Sequence, residues 1–274
     1  MNKEQVRNIL RRRGMNVRKK YGQNFLIDRN IVEKIMKVAS VRQEDTVVEI
    51  GPGLGALTGE LAKRANRVVA YEIDAGLAGY LQEEFQTSDN VRILQQDFLE
   101  VELDFSEPIK VVSNLPYYIT TPILFQLLES KQKIDSIVVM MQKEVAERLV
   151  AKPRTKQYNA LSVILQFLAE VRIEFHVPKT CFYPVPDVDS SIIHIRIKPL
   201  KESLVTADFI TFVKNAFHQR RKTLLNNVAS AYHLKKPFIE AMLEDTKHSP
   251  SVRAEELSLE QFVELYEYIK KAEM

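Results

Sequence analysis

The sequence predicts an α/β protein, with a mostly parallel sheet covered by helices on both faces and a small all-helical domain after it. Three observations predict it. Short β-branched runs alternate with amphipathic helical stretches through most of the first 200 residues. Four of the eight glycines crowd between Gly51 and Gly59, where a strand pattern gives way to a helical one. After Pro199 strand patterns stop. The expected domains are therefore residues 1–200 (α/β, with a basic N-terminal arm) and 201–274 (helical).

Val6, Ile9 and Leu10 form one apolar stripe on a short basic helix. Asp28 is placed to N-cap a second helix, in which Ile31, Val32, Ile35, Met36, Val38 and Ala39 recur at helical spacing. Thr46–Ile50 is a short β-branched strand, followed by the glycine cluster and a helix near Ala56–Arg64. Arg67–Ile73, Val91–Leu94, Ile109–Ser113 and Ile134–Met141 are the next strands, most of them separated by helices. Val171–Val177 and Ser191–Lys198 alternate with a period of two, as antiparallel strands do. Phe209, Val213, Phe217, Leu224 and Val228 predict one long helix, and Leu257–Ile269 another.

Composition excludes several classes. The chain has 274 residues, 45% hydrophobic and 27% charged, which excludes disorder, and no apolar run approaches the length of a bilayer span. Cys181 is the sole cysteine, so no internal disulfide forms and a reducing, cytoplasmic setting is expected. The five histidines lie far apart and near no cysteine cluster, so no metal is expected. The N-terminus lacks the apolar core of a secretion signal, and its arm is expected to belong to the mature protein. Net charge is +3, but residues 1–29 hold nine Lys/Arg against two acids, leaving the remainder mildly acidic. A basic arm on an acidic body fits a polyanionic partner such as nucleic acid, or else a solvated terminus.

The turn Glu49-Ile50-Gly51-Pro52-Gly53-Leu54-Gly55 ends a strand and opens a helix, which lets a ligand approach the backbone closely. Gly51, Gly53 and Ala56 also satisfy the loose dinucleotide pattern, and Glu72 stands where a ribose-binding acid belongs. Glu49 beside the turn opposes a pyrophosphate and suits S-adenosylmethionine (SAM), which carries a cationic sulfonium and no phosphate. A carboxylate satisfied by nearby backbone N–H groups is the alternative reading of Glu49. Gly51, Glu72, Asp97 and Asn114 follow or end four successive strands, so a parallel sheet gathers them at one edge. There Glu72 can accept from ribose hydroxyls and Asp97 from an adenine amino group.

Asn114-Leu115-Pro116-Tyr117 follows the fourth strand. The exocyclic amine of adenine is a poor nucleophile because its lone pair is delocalised into the ring. Two fixed acceptors, the Asn114 side-chain oxygen and a carbonyl at Leu115 or Pro116, would favour the tetrahedral nitrogen needed for attack on a methyl group. Tyr117 offers a ring on which an extruded base can stack, worth roughly 1–3 kcal/mol.

These stretches, together with Gly22-Gln23-Asn24-Phe25-Leu26, Gln96-Asp97, the run Phe182 to Ser190 and the run Phe217 to Leu224, resemble the bacterial small-subunit ribosomal RNA adenine dimethyltransferases (the KsgA/RsmA family) over nearly the whole chain. The resemblance implies a Rossmann-like, SAM-dependent methyltransferase sheet with helices on both faces and a C-terminal helical domain that binds RNA. It implies a SAM site lined by Asn24, Leu26, Gly51, Glu72, Asp97 and Asn114, with Gly53 in the turn. Asn114, Leu115, Pro116 and Tyr117 would hold the target adenine, with Phe182 as a second aromatic wall. The implied reaction dimethylates the N6 amines of two adjacent adenines near the 3′ end of 16S rRNA in the assembling small subunit. The related erythromycin-resistance methyltransferases act on 23S rRNA and usually carry isoleucine or a similar residue where Leu115 stands.

The expected RNA contacts are Arg11, Arg12, Arg13, Lys19 and Lys20 on the arm, Lys152 and Arg154, and Arg220, Arg221 and Lys222. A solvated basic face is the alternative for any one cluster. The protein is expected to act as a monomer, without membrane or metal. A non-catalytic assembly factor and an NAD oxidoreductase are the rivals from other classes.

Overall fold

A computed structural model describes residues 1–15, 17–18, 22–130, 132–198 and 206–272. In chain order the elements are α1 (Lys3–Arg12), β1 (Phe25–Leu26), α2 (Arg29–Ala39), β2 (Thr46–Ile50), α3 (Thr58–Ala62), β3 (Arg67–Glu72) and α4 (Ala75–Glu84). There follow β4 (Val91–Gln95), β5 (Ile109–Asn114), α5 (Thr120–Glu129), β6 (Ile134–Gln142), α6 (Lys143–Leu149), α7 (Ala160–Leu168), β7 (Ala169–Val177), β8 (Phe182–Tyr183) and β9 (Ser190–Ile197). The final helices are α8 (Thr206–Ala216), α9 (Leu224–Tyr232), α10 (Lys236–Asp245) and α11 (Leu259–Ala272).

The large sheet has the order β4-β3-β2-β5-β6-β9-β7. The pairs from β4 to β6 are parallel, and β9 joins β6 antiparallel. All five residues of β2 are buried, as its central place demands. On one face Ile35, Met36 and Ala39 of α2 meet Leu61, Val112 and Met140, and on the other Val6 and Leu10 of α1 meet Leu77, Leu81 and Ile93. The predicted stripe on α1 is thus a core face. The Asp28 carboxylate accepts from the Asn30 and Ile31 N–H groups, as its capping position requires. Since β3 and β5 leave β2 on opposite sides, the strand order reverses beside the glycine turn, where α/β sheets open a crevice.

Two elements differ from expectation. The predicted long helix is broken between Ala216 and Leu224. Its apolar spacing persists across the break, but Thr223 caps α9 by accepting from Asn226 N–H, and buried Asn227 donates to the Ala216 and Gln219 carbonyls, satisfying the end of α8. The helix expected over 56–64 is confined to Thr58–Ala62, because turns follow the glycines as far as Leu57. A two-stranded β1–β8 pairing, Phe25 opposite Tyr183 and Leu26 opposite Phe182, was not anticipated.

By internal contact the chain divides into residues 1–146 with 172–197, and residues 147–171 with 198–274, rather than at a single boundary after residue 200. Aromatic packing explains why 147–171 joins the helical unit. Phe167 lies 4.2 Å from Phe209 between ring centroids, and the Tyr158 hydroxyl donates to the Leu257 carbonyl at 2.8 Å. Phe212, Phe217, Phe262 and Tyr266 complete that core.

Candidate active site

One cleft at the carboxyl edge of the sheet is lined by residues 22–26, by the turn from Glu49 to Leu54, by Glu72, Asp97 and by the segment from Asn114 to Ile119. It brings together every predicted cofactor residue (Asn24, Leu26, Gly51, Gly53, Glu72, Asp97 and Asn114) with Leu115, Pro116 and Tyr117.

The turn needs its glycines. Gly51 has φ +67°, and a Cβ there would come within 3.2 Å of Pro116 Cγ, so the turn and the Asn-Leu-Pro-Tyr segment approach closely only because no side chain intervenes. Gly51 N–H donates to the Tyr71 carbonyl at 2.8 Å, tying the turn to the end of β3. Ser113 Oγ donates to the Ile50 carbonyl and ties in β5.

Two buried acids lie under this turn. Glu72 accepts from Gly53 N–H at 3.1 Å and from Asp74 N–H at 2.9 Å; burial raises its pKa to about 7 against these hydrogen bonds. Each oxygen retains a lone-pair direction for a ligand hydroxyl. Burial raises Glu49 to about 8, opposed by a hydrogen bond from the Thr58 hydroxyl at 2.7 Å and reinforced by the charge of Glu72. The carboxylate expected to face a cationic ligand is therefore largely protonated at neutral pH, and a positive charge placed beside it favours its ionised form. Asp97 accepts from Leu99 N–H through Oδ1, capping the short 3-10 turn Phe98–Glu100, and also lines the cleft.

Asn114 ends β5 and donates through Nδ2 to the Asn24 carbonyl at 3.4 Å, while its Oδ1 is buried with no hydrogen-bond partner. An orphaned buried acceptor is costly, and here it belongs to a residue lining the cleft. Of the two carbonyls considered, that of Pro116 accepts from Ile119 N–H at 3.2 Å and from the Thr120 hydroxyl at 3.1 Å. Both its lone pairs are engaged, which favours Leu115. The Tyr117 hydroxyl lies 2.6 Å from Ser190 Oγ. Phe182 lies outside the cleft lining: its ring is 1% exposed, packed with Leu26, Ile31 and Cys181.

Asp74 has a role that the sequence pattern did not reveal. It caps α4 through Gly76 and Leu77 N–H, accepts from Gln23 Nε2 at 3.3 Å, and pairs with Arg18 Nε at 3.2 Å. Its place at a helix start was the available signal.

Among the expected RNA contacts, Arg11 and Arg12 are exposed, whereas Arg13 pairs with Glu83 at 2.6 Å and lies over the Tyr80 ring. Lys19 and Lys20 lie outside the described residues. Arg220, Arg221 and Lys222 are exposed in the turn between α8 and α9 and not on a helix. Arg220 donates to the Lys156 carbonyl at 2.9 Å, and Arg154 N–H donates to the Glu255 carbonyl at 2.8 Å, so the helical unit brings its two basic segments onto one surface. Lys152 and Arg154 are both exposed there.

The family model described as ribosomal RNA adenine dimethylase matches residues 14–271. The ribosomal RNA small subunit methyltransferase A of Lactococcus lactis subsp. lactis is 46% identical over 272 residues, covering 95% of this chain and 92% of that protein. The protein of the same name from Bacillus cytotoxicus is 43% identical over 273 residues, covering 95% and 94%. Among solved structures, a dimethyladenosine transferase from Plasmodium falciparum superposes with TM-score 0.79 at 24% identity, covering 90% of this chain and 98% of that one. The 23S rRNA methyltransferase ErmE superposes with TM-score 0.71 at 31% identity, covering 90% and 100%.

Proposed function

The chain belongs to the ribosomal RNA adenine dimethylase family, and from that premise we propose that it dimethylates the N6 amines of two adjacent adenines near the 3′ end of 16S rRNA in the assembling small subunit. It is a SAM-dependent ribosomal RNA adenine dimethyltransferase. Its relatives at 43–46% identity carry the small-subunit name, which supports 16S over 23S rRNA. We take it to act as a monomer in the cytoplasm, where its substrate assembles. Among the described residues, no helix is long and apolar enough to cross a membrane.

The observation that carries the reading is the buried, unpartnered Asn114 Oδ1. The residues present fit SAM: an acceptor-rich cleft with Glu72 and Asp97 for hydroxyl and amino donors, and a glycine turn in which a Cβ would fill the space beside Pro116. When bound, SAM supplies a sulfonium methyl that needs no further activation. Asn24, Leu26, Gly51, Gly53, Glu72 and Asp97 would hold it. Asn114 Oδ1 and the Leu115 carbonyl would accept from the adenine N6 hydrogens, drawing the nitrogen towards tetrahedral geometry as its lone pair attacks. The N6 proton is then lost to solvent. Pro116 restricts the backbone of Leu115, and so the aim of its carbonyl, and Tyr117 stacks on the base. Phe182 backs Leu26 across the β1–β8 pairing and would reach a base only if that pairing moved. Arg11, Arg12, Lys152, Arg154, Arg221 and Lys222 would position the RNA through its phosphates.

Incubation with SAM and unmethylated small subunits, followed by mass mapping of the rRNA, tests the assignment. Two adjacent dimethyladenines near the 3′ end are expected, with no methyl transfer to 23S fragments; the reverse pattern would refute it. Asn114→Ala should retain part of the SAM affinity and lose methyl transfer by at least about 100-fold, the scale of removing one preorganised charge-stabilising group.

A further inference from the structure

We propose that Ser190 is a positioning residue for methyl transfer, acting through the Tyr117 hydroxyl to keep that ring from swinging away from the target base. The inference rests on Tyr117 being the stacking platform. Stacking needs a ring face and no hydroxyl, so phenylalanine would serve equally if stacking were all that mattered. The phenol oxygen instead lies 2.6 Å from Ser190 Oγ, 73 residues further along the chain.

The two ends of this hydrogen bond are anchored differently. Tyr117 sits in a one-turn 3-10 segment whose N-terminal end has no side-chain cap, and its ring turns about two side-chain bonds. Ser190 is fully buried at the first position of β9, opposite Gln142 of β6. The preceding residue is held as well: the Asp189 carbonyl accepts from Lys143 N–H at 3.0 Å, and its carboxylate accepts from Lys179 N–H at 2.9 Å. The sheet therefore presents a fixed hydroxyl to the free end of a ring mounted on a short turn. The phenol oxygen lies on the axis of the second side-chain torsion, so this contact fixes the swing of the ring about the first torsion and, through the in-plane preference of a phenol hydrogen bond, biases its plane. The reacting amine must meet Asn114 and the Leu115 carbonyl together, so a ring that swings costs rate rather than cofactor affinity.

The test uses Ser190→Ala, Tyr117→Phe, the double variant, Ser190→Thr and Tyr117→Ala. It reads kcat and the KM for SAM on unmethylated small subunits, and the emission of 2-aminopurine placed at the target position in bound RNA. Each of the first two should lower kcat about two- to tenfold, the range for one missing hydrogen bond, with KM for SAM unchanged. Their 2-aminopurine emission should rise as stacking loosens. The double variant should be no slower than either single one, because both remove the same hydrogen bond. Ser190→Thr, which keeps a hydroxyl, should recover part of the rate. Wild-type kcat and emission in Ser190→Ala, or effects that multiply in the double variant, would overturn the role of Ser190. If Ser190→Ala melts before assay, Tyr117→Phe decides alone, and an unchanged rate overturns the proposal. Tyr117→Ala separates the two levels: full activity there removes the platform reading itself, whereas its inactivity beside a normal Ser190→Ala removes only the role of Ser190.

Discussion

Glu49 and Glu72 have their acidity displaced in one direction and by one cause, burial beneath the glycine turn. Both folded pKa values, about 8 and about 7, lie above the ordinary 4.5, so the native protein retains protons that the unfolded chain has released. Their stabilising contribution is complete below about pH 4.5 and disappears as pH rises through 7 to 8. The ligand-free protein should therefore melt at progressively lower temperature from pH 5 to pH 9, and Glu49→Gln should flatten that decline. Melting curves across this range check it, and parallel curves for variant and wild type would contradict the assignment to Glu49. SAM is cationic, so its binding should release protons near pH 7, visible in calorimetry as heats that depend on the buffer. The carboxyl group was legible beside the turn, but its protonation was not, because a pKa records the dielectric around a group and no sequence spacing encodes that.

Among the elements, the glycine turn was the most legible. Positive φ at Gly51, Gly53 and Gly55 follows from a strand that must turn sharply into a helix close to the neighbouring Asn-Leu-Pro-Tyr segment. The N-terminal segment beside it was less so. Asp74 joins three jobs there: it caps α4, receives Gln23 and Arg18, and donates its own N–H to Glu72. Asp74→Ala should cost about 1 kcal/mol from the cap and weaken SAM binding through residues 22–26 and Glu72. Asp74→Asn, an equally good cap, should keep the stability without the ion pair. Thermal melts with SAM calorimetry separate the two, and an unchanged SAM affinity in Asp74→Ala would rule out the linkage. The break between α8 and α9 was hidden for a physical reason. The seven-residue step from Phe217 to Leu224 preserves helical phase, so periodicity alone passes over a break that Thr223 and Asn227 make stable.

For the molecule as a whole, charge separates positioning from chemistry. The basic turn between α8 and α9 and the segment around Lys152 present exposed cations, while the cleft presents acceptors. Replacing Arg221 and Lys222 with alanine should lower the log–log salt slope of RNA binding by about 0.7–0.9 for each phosphate no longer neutralised, with SAM affinity intact. An unchanged slope in filter-binding titrations would remove that turn from the RNA interface. Arg13 should behave differently, because its guanidinium is already held by Glu83 and Tyr80. What the sequence determined by itself was the sheet, the gathering of Gly51, Glu72, Asp97 and Asn114 at one edge, and the family. Parallel strands place their carboxyl ends together whatever the side chains, and local patterns specify the strands. Only the tertiary structure decided that burial raises the Glu49 pKa, that Ser190 meets Tyr117, that Phe182 is buried, and that residues 147–171 pack with the last helices. Each depends on which distant surfaces come together, and burial of that kind leaves no periodic trace along the chain.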